Sequence, residues 1–402
     1  MASQTAANVL VALKREATIG TAPATVTDAA RLRFIDSPGL VLNRAQIMSG
    51  EKRSDRLAPM GRLGGKSVTG SFNTEATVGG ATDILLEAIA RGAWATAVAI
   101  GFASVTSITT GTNTVMGSGD WVSQGIRVGD IFRLSGHSVA ANNDKNLRVT
   151  AVSSGTITVP AGSLTLNATA DTSGTLTVLR KLVNPATPTR YSHAIEQYDA
   201  DIDLSELFLG CRVTGVSLSF RPGANATIGY TFLGLDRTKL DTGTSPYYSN
   251  PSVTTGLALV ADDSTILKDG VRVASFTGMD LNLQIAASGV PVIGSFVSPD
   301  IFDNDLTISG TITGLRSDFA NLTLYDAETE FSLSVVLEEP VASGAKPCLA
   351  LYLPRVKISG LSAPAGGGDG AKVETLQLMI GPRASATGHD ATAIAFHTSA
   401  AA

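Results

Sequence analysis

With 402 residues the chain has room for two or three domains, and its two cysteines exclude a disulfide framework. A net charge of −5 with only 16% charged residues excludes a duplex-DNA binder, which needs a clustered basic face. So low a charge beside 44% hydrophobic residues points to a surface that is largely covered in an assembly.

The first segment, MASQTAANVLVALKREATIG, has no basic start, and its longest apolar run, Val9 to Leu13, is too short for a signal core or a membrane span. Export by the usual route is therefore not expected, and a reducing compartment fits the cysteine count. Gly61 to Ser67 reads GRLGGKS, but Met60 stands where a phosphate-binding loop needs its first glycine, so an inter-strand loop is predicted. The pattern TDILLEAIAR predicts a helix over Thr82 to Arg91, with Ile84, Leu85, Ala88 and Ile89 as its apolar stripe, Thr82 as its cap and Gly92 as its stop.

Elsewhere, short β-branched runs bounded by Gly, Asn, Asp or Pro predict strands. Examples are Ser104 to Thr110, Ser154 to Val159, Gly174 to Leu179, Gly215 to Phe220, Thr227 to Phe232, Leu306 to Thr313 and Phe331 to Leu337. Between about Ala99 and Leu182 these alternate with Gly and Asn turns, Gly125 to Asp130 among them, as in a separate small β domain. The stretches around Pro185 and Pro188 and from Asp241 to Val253 read as linkers. Asp318 to Thr329 carries a weaker helical pattern, Ala363 to Gly370 reads as a hairpin tip or mobile loop, and the Ala/Thr/Ser-rich tail from Ala384 reads as an arm that orders against a neighbour.

Candidate chemistry is sparse. Asp199, Asp201 and Asp203 alternate as in a calcium loop, but the sixth position is Leu204 and the twelfth Gly210, so a strand edge with solvated carboxylates is predicted. His137, His193, His389 and His397 lack metal-ligand spacing and read as surface residues, while Cys211 and Cys348 read as small packing residues. The sequons at Asn167, Asn225 and Asn321 carry no weight without a secretory context. No catalytic residue, metal site or cofactor site is expected.

One β pattern appears twice. Val68-Thr69-Gly70-Ser71 matches Ile308-Ser309-Gly310-Thr311, and Arg212 to Val216 matches Arg355 to Leu361. Val68 and Val213 are 145 positions apart but Ile308 and Ile358 only 50, so the first copy carries about 95 extra residues, the size of a small inserted domain.

The segments LVALKREATIGTAP, RLRFIDSPGLVLNRAQIMSGEKRSDRLAPMGRLGGKSVTGSF, TDILLEAIARGAW and GVSLSFRPGANATIGYTFLGLD together resemble the major tail tube protein of long flexible-tailed, siphovirus-type bacteriophages. The second half resembles the same module more loosely. The resemblance implies a mainly β chain: two tandem tail-tube β-sandwich or barrel modules, each with a flanking helix, plus an inserted small β-barrel or Ig-like domain. The first module would comprise residues 1–98 and 183–248, the insert 99–182 and the second module 249–402. Homotrimeric rings would stack into a tube that conducts DNA without binding it specifically. The tape measure, tail terminator and tail tip proteins are implied as partners, the bacterial cytoplasm as the place of assembly, and no membrane. The loop from Ile47 to Gly65, with Lys52, Arg53, Asp55, Arg56 and Arg62, is the candidate contact between rings. The rival readings are a capsid decoration or minor tail protein and, from another class, a carbohydrate-binding or hydrolytic phage protein; two Trp and 5% aromatics offer little for sugar stacking.

Overall fold

The computed structural model describes residues 3–341, 343–365 and 370–400. Its first strands are β1 (Val9–Arg15), β2 (Ala30–Leu32), β3 (Gly39–Ile47) and β4 (Arg62–Glu75), followed by α1 (Ala81–Ala90). A run of short strands comes next: β5 (Val98–Gly101), β6 (Ile108–Thr110), β7 (Thr114–Gly117), β8 (Ile131–Ser135), β9 (Leu147–Arg148), β10 (Ala151–Val152), β11 (Thr156–Thr158), β12 (Asn167–Asp171) and β13 (Thr175–Val178). The chain then returns through β14 (Arg180–Val183), β15 (His193–Asp199), β16 (Leu204–Phe220), β17 (Thr227–Gly234) and β18 (Asp236–Leu240). The remaining elements are β19 (Ser264–Lys268), β20 (Val271–Arg272), β21 (Phe276–Gly289), β22 (Ile301–Leu315), α2 (Ala320–Asp326), β23 (Phe331–Glu338), β24 (Cys348–Ser362), β25 (Val373–Ile380) and β26 (Ala395–Thr398).

The eight long strands pair antiparallel in the order β3–β4–β17–β16–β21–β22–β25–β24. The order within the first four, by position in the chain, is repeated by the second four. Even the irregularities recur. β16 bulges between Val213 and Gly215, where Thr214 Oγ1 donates to the Thr231 carbonyl at 3.3 Å. β24 bulges between Ile358 and Gly360, where Ser359 Oγ donates to the Gln377 carbonyl at 3.2 Å. Outside the long sheet, β15 and β18 flank the first part of β16, as β23 and β26 flank the first part of β24.

Pleating gives each strand two faces. One face, carrying Phe72, Tyr230, Val216, Leu283 and Ile308 in successive cross-strand positions, is buried in the main core together with Leu85 and Ile89 of α1. α1 begins after Gly80, not at a Thr82 cap; Thr82 Oγ1 instead lies 3.3 Å from Thr77 Oγ1. Its left-handed terminator is Arg91, at φ 55°, and not Gly92. α2 is short and has no buried residue.

Strands β5 to β13 form two small sheets, β10–β11–β7–β6–β12 and β5–β13–β8–β9, around a second core that includes Trp121, Phe132 and Leu176. Val98 pairs with Val178, so this region leaves and rejoins the body at adjacent points. The predicted strand from Ser104 starts as a 3-10 turn, Phe102–Val105, and becomes extended only at Ile108. Gly125 and Gly129 both have positive φ, in the turns that lead into β8.

Further expectations fail, among them the inter-strand loop at Gly61 to Ser67, which is strand from Arg62. His137, His193 and His397 are buried, 3%, 0% and 0% exposed, because β15 and β26 carry His193 and His397 inside and the turn after β8 folds His137 inward; His389 stays half-open. The tail is no free arm: β26 lies between β14 and β24, with Phe396 and His397 in the interior. The segment from Asp241 to Val253 is also anchored, because the Glu196 carboxylate accepts the amides of Tyr247 and Tyr248, and Tyr248 is 1% exposed. Of the predicted loop at Ala363 to Gly370, Gly366 to Asp369 lie outside the described residues. Both cysteines are buried and free.

His193 makes stability pH-dependent. Burial, with the nearby Arg15 charge, pushes its pKa down to about 3, and neither ring nitrogen has a partner. Between the unfolded value of about 6.5 and the folded one, only the unfolded chain binds the proton, so stability falls on acidification by up to about 1.4 kcal/mol per pH unit. Asp83, raised to about 6 chiefly by burial, works in the opposite direction. His193→Leu should therefore flatten the melting-temperature profile between pH 6.5 and 4.5 relative to wild type; parallel profiles would contradict the assignment.

Candidate functional site

The second face of the long sheet is the most extended feature without a packing role in the core. One cross-strand row reads Ser71, Thr231, Gly215, Gln284, Thr307. The next reads Asn73, Gly229, Ser217, Asn282, Ser309, Met379, Lys357, and a third Glu75, Thr227, Ser219, Asp280, Thr311, Gln377, Gly360. The rows span seven strands, and small hydroxyl and amide side chains predominate in them. The few charges are mostly compensated: Asp280 pairs with Arg221, and Lys357 lies 3.8 Å from Glu330. Such a face offers hydrogen-bonding groups but no basic stripe to hold phosphates. Its residue types were visible as alternating Ser/Thr patterns, whereas their alignment into one surface depends on cross-strand register.

The strand directions place two hairpins at one end of this sheet, here termed the upper end. The β3–β4 hairpin holds Lys52, Arg53, Asp55, Arg56 and Arg62. Arg53 and Asp55 form an exposed ion pair at 2.7 Å, which holds the Asp55 carboxyl below its ordinary range. Arg56 has a left-handed backbone, φ 59°, and Arg62 opens β4 opposite Ile47. Lys52, Arg56 and Arg62 make no ion pair among the described residues. The β21–β22 hairpin, at the corresponding place in the second half, carries the exposed apolar residues Val290, Val292, Ile293 and Phe296 instead. The hairpins touch each other, since the Lys66 amide donates to the Phe296 carbonyl at 2.7 Å and the Arg44 guanidinium lies 5.4 Å from the Phe296 ring centroid. Composition singled out the first hairpin and passed over the second, whose apolar run reads like another strand.

A buried polar cluster joins the β5–β13 region to the second half. Asp130, 1% exposed, accepts from Lys181 Nζ at 3.1 Å and from the Arg127 amide at 2.8 Å, and lies 3.4 Å from His397 Nε2. Lys181 also reaches Asp390 at 2.8 Å. Burial opposes ionisation of Asp130, but the His397 hydrogen bond and the Lys181 charge prevail and hold its carboxyl below the usual range. Burial lowers His397 to about 4, so at neutral pH its ring is an uncharged hydrogen-bond partner. Arg148 is fully enclosed, lowered to about 10 by burial, and donates to the Gly129 and Leu351 carbonyls. This is interface architecture: Asp130, Lys181, His397 and Arg148 tie the two regions together, and Arg148 also lines a cleft of about 260 Å³ with Tyr352, Glu330 and Arg383.

The alternating aspartates are likewise structural. Asp201 accepts from the Thr5 amide at 2.7 Å and from Asn8, and Asp203 accepts from Tyr198. Among the described residues, no group of three or more His, Cys, Asp or Glu gathers as a metal site, and no helix is long and apolar enough to cross a membrane. Lys66, in the glycine-rich stretch, lies in β4 and pairs with Asp236 at 2.8 Å.

No curated protein matches the chain. A family model described as phage tail tube protein matches residues 6–386, nearly the whole length. The chain therefore belongs to the phage tail tube proteins, structural components of the virion tail that assemble into the tube through which DNA passes during ejection.

Proposed function

We propose that this protein is a non-enzymatic tube subunit of a long flexible tail, acting as a homotrimer in which each chain supplies two copies of one module and an inserted outer domain. One observation carries the reading. Inside the chain β16 pairs with β21, from Gly215 opposite Gln284 to Phe220 opposite Met279, while the corresponding outer edges, β3 and the end of β24, have no such partner among the described residues. Free edges of this kind template association unless they are covered.

Transferring the internal junction to these edges places Gly360, Leu361 and Ser362 of one chain opposite Asn43, Leu42 and Val41 of the next. Pairing stops at Leu40, whose amide donates to Gln197 Oε1 at 2.7 Å and whose carbonyl accepts from Gln197 Nε2 at 3.3 Å. Three chains then present six modules, and the largely uncharged Ser/Thr/Asn face lines the channel, where phosphates slide because no basic stripe retains them. The modules comprise residues 1–98 with 183–248 and 249–402, and the region 99–182 decorates the outside. The hairpin from Ile47 to Gly65 contacts the adjacent ring through Lys52, Arg53, Asp55, Arg56 and Arg62. The tape measure and terminator proteins meet the tube in the channel and at its ends.

The test is a disulfide. Val41 and Ser362 would be directly opposed, about 4.5 Å apart between Cα atoms, within reach of a bridge. A Val41→Cys, Ser362→Cys variant should, after oxidation of assembled tubes, run in denaturing gels as a covalent species of three chains. A six-chain species overturns the trimer, and unlinked monomers from intact tubes overturn the edge pairing.

A further inference from the structure

We infer that successive rings stack with like halves over like halves: the charged hairpin of one copy meets the first-half lower end of another, and the apolar hairpin meets the second-half lower end. The inference rests on the tube reading above and adds the identity of the surfaces that meet.

The first-half upper hairpin carries Lys52, Arg53, Arg56 and Arg62 against Glu51 and Asp55, a basic excess of two. At the other end of the same four strands Asp36, Glu75, Asp262 and Asp263 stand against Arg33 and Arg221, an acidic excess of two. Asp36 precedes β3, Glu75 ends β4, and Asp262 accepts the Gly223 amide of the β16–β17 turn, with exposed Asp263 beside it. The second half repeats the arrangement in another chemistry. Its upper hairpin has no charged residue from Val290 to Pro299, and it exposes Val290, Ile293 and Phe296, with Ile293 fully open to solvent. Below the same strands, Leu315 at the end of β22, Phe319 and Val373 at the start of β25 expose apolar surface between Arg316, Asp318, Lys372 and Glu374, of which Arg316 and Glu374 lie 3.9 Å apart.

Stacking like on like joins basic to acidic and apolar to apolar at every contact. Stacking unlike halves would set the basic hairpin over Leu315 and Phe319, where Asp318 is the exposed carboxylate and Arg316 a like charge, and leave Ile293 facing carboxylates. The apolar contact then supplies affinity by burial, and the charged contact supplies register and selectivity.

Cysteine pairs in the full-length chain distinguish the arrangements. Ile293 and Phe319 lie at opposite ends of a strand of about 15 residues, roughly 45–50 Å apart, so a bridge between them can only be intermolecular. Ile293→Cys with Phe319→Cys should yield multi-ring covalent ladders from oxidised tubes, and Ile293→Cys with Ile35→Cys should not. The reverse pattern, or no ladder from either pair, overturns the inference. As a second measurement, Arg53→Glu with Arg56→Glu should reduce polymerisation at least tenfold, and Asp262→Lys with Asp263→Lys should restore it; failure of that rescue in variants with wild-type melting curves also counts against it. If the unmodified protein forms no tubes under the same conditions, the proposed function fails instead.

Discussion

Gly70→Val is expected to eliminate tube assembly while leaving most of the chain folded. A Cβ at Gly70 would overlap the Gly39 carbonyl oxygen and lie 2.8 Å from Leu40 Cα, and backbone atoms cannot yield without opening the β3–β4 ladder. β3 is the outermost strand of the long sheet, so the damage falls on an edge that the core hardly uses but that the proposed ring closure requires. Overpacking of this kind costs about 1–3 kcal/mol, a modest part of the stability of a chain with this much buried core. Gly310 occupies the corresponding position of β22, where an added Cβ would stand 2.6 Å from Leu281 Cδ2 and 2.9 Å from the Asp280 carbonyl. There the neighbour is β21, in the middle of the sheet, so Gly310→Val should reduce soluble protein itself. Electron microscopy for tubes and circular dichroism for folding separate the two outcomes. Normal tubes from Gly70→Val would falsify the role given to β3.

Asp130→Ala is expected to destabilise the chain by about 3–5 kcal/mol, because removing one member of a buried charge cluster leaves the others desolvated without compensation. Lys181 would keep only Asp390, and the nearest carboxylate to the enclosed Arg148 would be gone. Calorimetry at pH 7 should show a transition lowered by several degrees and, because the cluster joins the β5–β13 region to β24 and β26, a separation of that region's melting from the rest. Asp130→Asn, which keeps one acceptor oxygen but loses the charge and the second acceptor, should fall between the two. The sign with pH follows from the depressed carboxyl: its contribution is complete above the ordinary carboxylate value and disappears only as pH falls through the lower folded one. A single unshifted transition in Asp130→Ala would show that the cluster contributes nothing to the junction.

The elements that were legible locally share a physical cause. Period-two alternation in Thr227 to Phe232 or Phe331 to Leu337 reports a strand with one buried face, and Leu85, Ala88 and Ile89 report a helix against a sheet. What escaped involved partners far along the chain. His397 looked like a surface residue because its partners, Asp130 and Arg148, lie more than two hundred positions away. The tail looked mobile because Ala and Thr have little apolar bulk, yet β14 and β24 enclose it on both sides. The α1 cap was misplaced because Gly80, with its positive φ, takes the cap position two residues before the Thr82 signal.

By itself the sequence determined the mainly β class, the single strong helix and the packing role of the cysteines, all of which depend on residue type and short-range periodicity, while the tube family was reached through the resemblance of whole segments. Only the tertiary structure decided which strands are neighbours, and with that which Ser and Thr residues share one uncharged face, where the free edges lie and which hairpins stand together. The reason is that a strand's pattern specifies a buried side but no partner: backbone hydrogen bonding is the same for every pair, and register emerges only when all the faces are buried at once.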